Sequence, residues 1–303
     1  MKTKLILSYF WKLPLCGLVY FIAMAVSGGL LDRLGFETPA LPKGTDPGAI
    51  ALWFVAGSML LAFVLSFVAG RLRANWLMRW LILAELVWTF AALGMVIESV
   101  FFMNTDAVAS IINAVYTLLS FLLPSLILAL MTALLFPPEQ PSKPCLQSLK
   151  GFFAGRSLLD WAWRLLLAVA AYPMVYFAFG LLVKPLVGEY YTQGMVELIL
   201  PTWGQLIPLQ LARSLLFLTA SLPVIAWWRG SRRSLWVALG MAVFVLTAFM
   251  AVITSYWFPW QMRLFHGLEL LADGLVYAGV LAVLFRPMPA ASQVRMRLAQ
   301  LEV

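Results

Sequence analysis

The chain reads as an all-α polytopic membrane protein, with eight transmembrane helices in two parallel-related four-helix halves. Three observations carry that reading. Of 303 residues, 63% are hydrophobic and only 11% are charged, with a mean hydropathy of +0.93, too few polar groups to cover a water-facing surface. Apolar runs of about 18 residues or more recur along nearly the whole length, continuous rather than alternating, which speaks against a transmembrane barrel. Basic residues also fall in alternate loops, as a multi-pass topology requires.

Span one, about 12–32, follows Lys2, Lys4 and Lys12. Its Ala25-Val26-Ser27 triplet looks cleavable, but the apolar stretch from Leu13 to Leu31 is long for a leader, so a retained helix is expected. Spans two and three, about 50–70 and 77–101, are joined by a turn with Arg71, Arg73 and Arg79. Span four, about 110–136, ends at Pro137-Pro138. In the linker that follows, Leu146, Leu149 and Phe153 recur at helical spacing beside Lys150 and Arg156, the pattern of a short helix lying on the lipid surface. Spans five to eight are expected near 163–186, 205–228, 235–257 and 264–285. The aromatic residues Tyr190, Tyr191 and Trp203 before span six suit an interfacial belt. The resulting organisation is a first half at 1–136, a linker at 137–161, a second half at 162–286 and a tail at 287–303.

Sorting the cations by loop accounts for the net charge of +8 without nucleic acid. Sixteen of the 21 Lys and Arg residues fall on the side of the termini, against Arg33, Lys43, Lys184 and Arg263 on the other and Arg213 inside a span. Both termini are therefore expected in the cytoplasm, in the cell's plasma membrane. Cys16 and Cys145 then face a reducing compartment, and no disulfide is expected.

Gly70-x-x-Arg73-x-x-Trp76 reappears as Gly230-x-x-Arg233-x-x-Trp236, and spans four and eight close on Leu134-Leu135-Phe136 and Val283-Leu284-Phe285. These echoes suggest a duplicated four-helix unit, its copies sharing one orientation because four is even. Eight spans in two such halves resemble the architecture of the heme A synthase family, which ligates hemes through paired histidines. This chain has one histidine, so heme ligation does not carry over and no cofactor is expected.

The strongest functional signal is on span eight. Counting Arg263 as zero, His266, Glu269, Asp273 and Tyr277 fall at roughly 300°, 240°, 280° and 320°, while Leu264, Leu268, Leu271 and Leu275 take the opposite side. Ionisable groups at membrane depth cost roughly 2.5–3.5 kcal/mol each on insertion scales, so each should meet a partner or water. On span six, Gln210, Arg213, Ser214 and Ser221 share a face, and Arg213 reaches the depth of Glu269 and Asp273. An ion pair from Arg213 to one of those carboxylates is expected. A pair that only fixes helix packing is the plain alternative. One arginine does not balance two carboxylates, however, which favours a hydrated, outward-facing pocket. Span four carries Asn113, Tyr116, Thr117 and Ser120 on a comparable face, polar but uncharged.

Sharper chemistries find less support. His266, Glu269 and Asp273 come from one helix with no second histidine, a poor metal cage, and no metal is expected. No nucleophile motif surrounds Ser214 or Ser255, so an enzyme is not the leading reading. Glu85 and Glu98 on span three point about 140° apart and do not form one site. Pro124, Pro208 and Pro223 imply kinks. Below Tyr277, Ala278 to Leu284 is dry, which argues against a permanent channel. The expected function is binding or transport of a small polar or ionic solute; a structural or assembly subunit bound to other membrane proteins, and an intramembrane enzyme, are the alternatives. Reporter fusions after residues 40, 105, 190 and 261 should all read outside the cell, and a single cytoplasmic reading would overturn the span count.

Overall fold

The computed structural model describes residues 2–36, 45–102, 107–138, 145–192 and 199–286. The tail at 287–303 falls outside these, with Lys43, Lys143, Arg295 and Arg297, as do the side chains of Glu98, Cys145 and Leu146. Among the described residues, eight helices are long and apolar enough to cross a membrane: Leu7–Arg33, Pro47–Arg71, Trp76–Phe102, Val108–Leu135, Leu158–Thr192, Trp203–Trp227, Arg232–Ile253 and Trp260–Phe285. These are spans one to eight. The protein is thus an integral, multi-pass membrane protein whose apolar helices meet lipid.

Local chemistry explains where the helices begin and end. Asp46, Asn75 and Ser231 cap spans two, three and seven through side-chain oxygens that accept backbone N–H groups. Thr202 and Gln205 form a reciprocal capping box at span six. Span seven ends at Ile253, earlier than expected, where the Thr254 and Ser255 hydroxyls donate to the carbonyls of Met250 and Ala251 at 2.8 and 2.7 Å. Span eight begins early, at Trp260, directly after Pro259. Span five runs well past its expected bounds, through Pro173 and Pro185.

Spans three and seven each contain a π segment, Thr89–Leu93 and Val245–Ile253, which the hydropathy pattern does not foretell. The two segments touch. Span one packs on two and four, and three on four; span five packs on six and eight, and seven on eight. Span two also meets seven, and three meets six. The apolar core runs across these contacts, with Phe90 of span three stacked on Phe217 of span six at 4.2 Å. At the end of the molecule that holds the turns after spans two and six, those turns pair. Arg73 N–H donates to the Trp227 carbonyl at 3.0 Å and Arg229 N–H to the Arg71 carbonyl at 2.9 Å, around an antiparallel bridge between Leu72 and Trp228.

Several residues differ from expectation. Arg79, counted above as a loop cation, is buried and donates to the Phe136 and Ala133 carbonyls at 2.7 and 2.6 Å, closing the end of span four. The repeated Gly-x-x-Arg-x-x-Trp turn does not sit on matching positions. Gly70 lies in the last turn of span two and Trp76 opens span three, whereas Gly230 lies beyond span six and Trp236 is one turn inside span seven. The tryptophans with matching roles are Trp80 and Trp236, which donate to the carbonyls of Leu126 and Leu275 at 2.8 and 2.7 Å. The linker helix is present at Cys145–Phe153, but its inward aromatic is Phe152, edge-on to Trp161 at 5.2 Å, while Phe153 is 54% exposed.

Spans seven and eight approach closely at Gly240 and Gly274. A Cβ on Gly240 would lie 2.8 Å from Leu275 Cδ2, 3.1 Å from its Cα and 3.4 Å from the Gly274 carbonyl oxygen. Backbone cannot yield as a side chain does, so Gly240→Ala should destabilise the protein by about 1–3 kcal/mol. Gly94→Ala, with nothing within 4 Å of the new atom, should leave the thermal midpoint unchanged or higher. Thermal unfolding of both variants in detergent checks this.

Candidate functional site

The polar faces of spans six and eight are both turned inward. Gln210, Arg213, Ser214 and Ser221 are buried on span six, as are Glu269, Asp273 and Tyr277 on span eight. Arg213 is 3% exposed and Asp273 1%, which removes them from lipid and bulk water alike. His266 Nδ1 lies 2.6 Å from Glu269 Oε2, one helical turn along span eight. The other oxygen of Glu269 faces span five, where a Cβ on Gly180 would come within 3.2 Å of Oε1. A side chain at 180 would crowd the carboxylate; the glycine leaves it room.

Tyr277 Oη donates to the Ser214 carbonyl at 3.4 Å, joining spans eight and six. Its ring stands edge-on to Tyr172 of span five at 5.2 Å, and Tyr172 in turn meets Phe217 at 5.0 Å. Asp273 lies within electrostatic reach of Glu269, His266 and Arg213. Neither of its carboxylate oxygens has a hydrogen-bond partner among the described residues, and the same holds for both amide atoms of fully buried Gln210 and for Ser221 Oγ.

The structure thus gathers the span-eight stripe, except for Arg263, which turns elsewhere. Its Nε donates to the Ile253 carbonyl at 2.9 Å and its guanidinium lies 4.9 Å from the Trp53 ring centroid, so it closes the end of span seven. Ser214 and Ser255, weighed above as nucleophiles, both spend their hydroxyls on backbone carbonyls, of Ala168 and Ala251. Span five was missing from the sequence-based site. Gly180 and Tyr172 contribute through backbone proximity and ring packing, which an apolar helix does not advertise. On span four, Ser120 donates to the Thr117 carbonyl at 3.0 Å, and Tyr116 Oη lies 3.4 Å from where a Cβ on Gly28 would stand.

No family model, curated protein or solved structure matches the chain.

A buried carboxylate without a hydrogen bond costs about 1–3 kcal/mol or more. Asp273→Leu, which removes the unsatisfied oxygens altogether, should therefore raise the thermal midpoint of the protein. Glu269→Gln, which takes the carboxylate from His266, should lower it. Calorimetry of the two variants in the same detergent reads the opposite signs.

Proposed function

We propose that the chain binds a small polar or ionic solute between spans five, six and eight, in a pocket opening toward the outer face, with Gln210, Arg213, His266, Glu269, Asp273 and Tyr277 lining it. One observation carries the reading: Asp273 and Gln210, wholly buried at neighbouring faces, hold four polar side-chain atoms for which the described residues supply no hydrogen bond. Native interiors satisfy such groups, so a deficit of this size marks the place of water or ligand. The chemistry on offer is two carboxylates, an amide and an imidazole beside one guanidinium. It suits a solute with a cationic N–H group for Asp273 and an acceptor for the Gln210 amide. Toward the other end of span eight, Ala278, Leu281, Ala282 and Phe285 are buried and apolar, so the site ends in a dry plug.

The same reading takes the chain as a duplicated four-helix unit with both termini cytoplasmic. In support, spans two and six are each 25 residues, and the caps Asn75 and Ser231 stand 156 residues apart, as do Trp80 and Trp236. Lys12 of span one donates to the Leu135 carbonyl as Arg164 of span five does to that of Leu284. Gly28 faces Tyr116 much as Gly180 faces Glu269. The first copy keeps a neutral hydroxyl where the second has a carboxylate.

Purified protein should be screened by thermal shift with small amines, carboxylates and zwitterionic amino acids. At a hundredfold excess over its Kd, a bound solute stabilises by about 2.7 kcal/mol. Amines or zwitterions should stabilise the wild type and not Asp273→Asn or Gln210→Leu; equal responses in all three would leave the cluster a packing device. Arg213→Leu should lower yield, and adding Asp273→Asn should recover part of it.

A further inference from the structure

At the paired turns, three consecutive residues present buried N–H donors that meet no described acceptor: Trp227 Nε1, Trp228 Nε1 and Arg229 Nε. Trp227 and Trp228 are only 5% and 6% exposed, so leaving these donors without an acceptor is costly. Across the pair, Arg71 places its guanidinium 3.6 Å from the Phe67 ring centroid, and the Trp228 ring lies 6.4 Å from that same ring. Arg229 feels the like charge of Arg73, which with burial holds its affinity for protons below the ordinary arginine value, burial being the larger cause. The neighbouring cations are already engaged: Arg286 donates to the Gly230 carbonyl at 2.9 Å and Arg232 leans on that of Val283 at 3.5 Å. Among the described residues, the one carboxylate at this end is Asp160, held by Arg164 at 3.0 Å and flanked by Arg156 at 3.6 Å.

The deficit is thus of acceptors alone, where turns from both halves bring arginines together. We propose that the paired turns Arg71–Arg73 and Trp227–Arg229 form a binding site for a phosphate-bearing ligand, either the headgroup of an anionic lipid or a free phosphate. A phosphate oxygen accepts several hydrogen bonds at once and neutralises the Arg73–Arg229 repulsion, and arginine and indole N–H groups are suitable donors to it. The site is remote from the span-eight cluster and does not depend on the reading given for that cluster.

The full chain, in nanodiscs of phosphatidylcholine alone or with phosphatidylglycerol, is tested by thermal unfolding with and without inorganic phosphate. The wild type should gain several degrees from phosphatidylglycerol, from phosphate, or from both. A response to the lipid alone assigns a headgroup, and one to phosphate assigns a soluble ligand. Arg73→Gln with Arg229→Gln should abolish the gain. Arg229→Lys keeps the charge but loses the Nε donor, and should bind about tenfold more weakly while folding normally. Arg233→Gln, a charge change in the same loop outside the paired turns, should retain the gain. No response to either anion overturns the proposal. An equal loss in Arg233→Gln also overturns it, because diffuse surface charge would then suffice.

Discussion

The last carbonyls of a helix have no partner within it, and where the ends of spans four and eight are buried among neighbours they must find donors in the protein. That constraint organises this molecule. Lys12 and Arg79 converge on the carbonyls of Ala133, Leu135 and Phe136; Arg156 and Arg164 converge on those of Leu284, Phe285 and Arg286. The donors come from spans one and three at the end of span four, and from Arg156 and span five at the end of span eight. Each set ties span four or span eight to its neighbours, and the cations also complement the negative end of the helix dipole. With these ends anchored, the indole N–H groups of Trp80 and Trp236 fasten the same helices further along.

Anchoring at one end leaves the polar cluster of spans six and eight in a framework that does not have to be stabilised by the cluster itself. Glu269 and Asp273 can sit at depth because spans five, six and eight are already positioned by aromatic contacts among Tyr172, Phe217 and Tyr277 and by the glycine contact between spans seven and eight. The cost of the unsatisfied groups is then borne by the scaffold.

Much of the architecture was legible in the sequence because lipid imposes a coarse and strong rule: long apolar runs must be helices, and their number can be counted. The inward stripe of span eight was legible for the same reason, since ionisable residues at i, i+3 and i+7 can hardly face hydrocarbon. Details that depend on a specific neighbour were not. The destination of Arg263 is set by the free carbonyl of Ile253 and the ring of Trp53, both distant in the pattern that was read. Arg79 looks like any loop cation until the end of span four is placed beside it. The Gly-x-x-Arg-x-x-Trp likeness was real as text and one helical turn out of register as structure, because composition near a turn constrains position only loosely. The π segments arise where helices three and seven meet and have no hydropathy signature.

Span five is 35 residues long, about 52 Å at 1.5 Å per residue, against a hydrocarbon layer of about 30 Å. Its partners in the cluster, spans six and eight, have 25 and 26 residues. Such an excess over the hydrocarbon layer is accommodated by tilt or by helix ends that stand beyond it. Gly180, which gives Glu269 its room, travels on that helix. Any shift of span five against span eight would therefore change the room that Glu269 has.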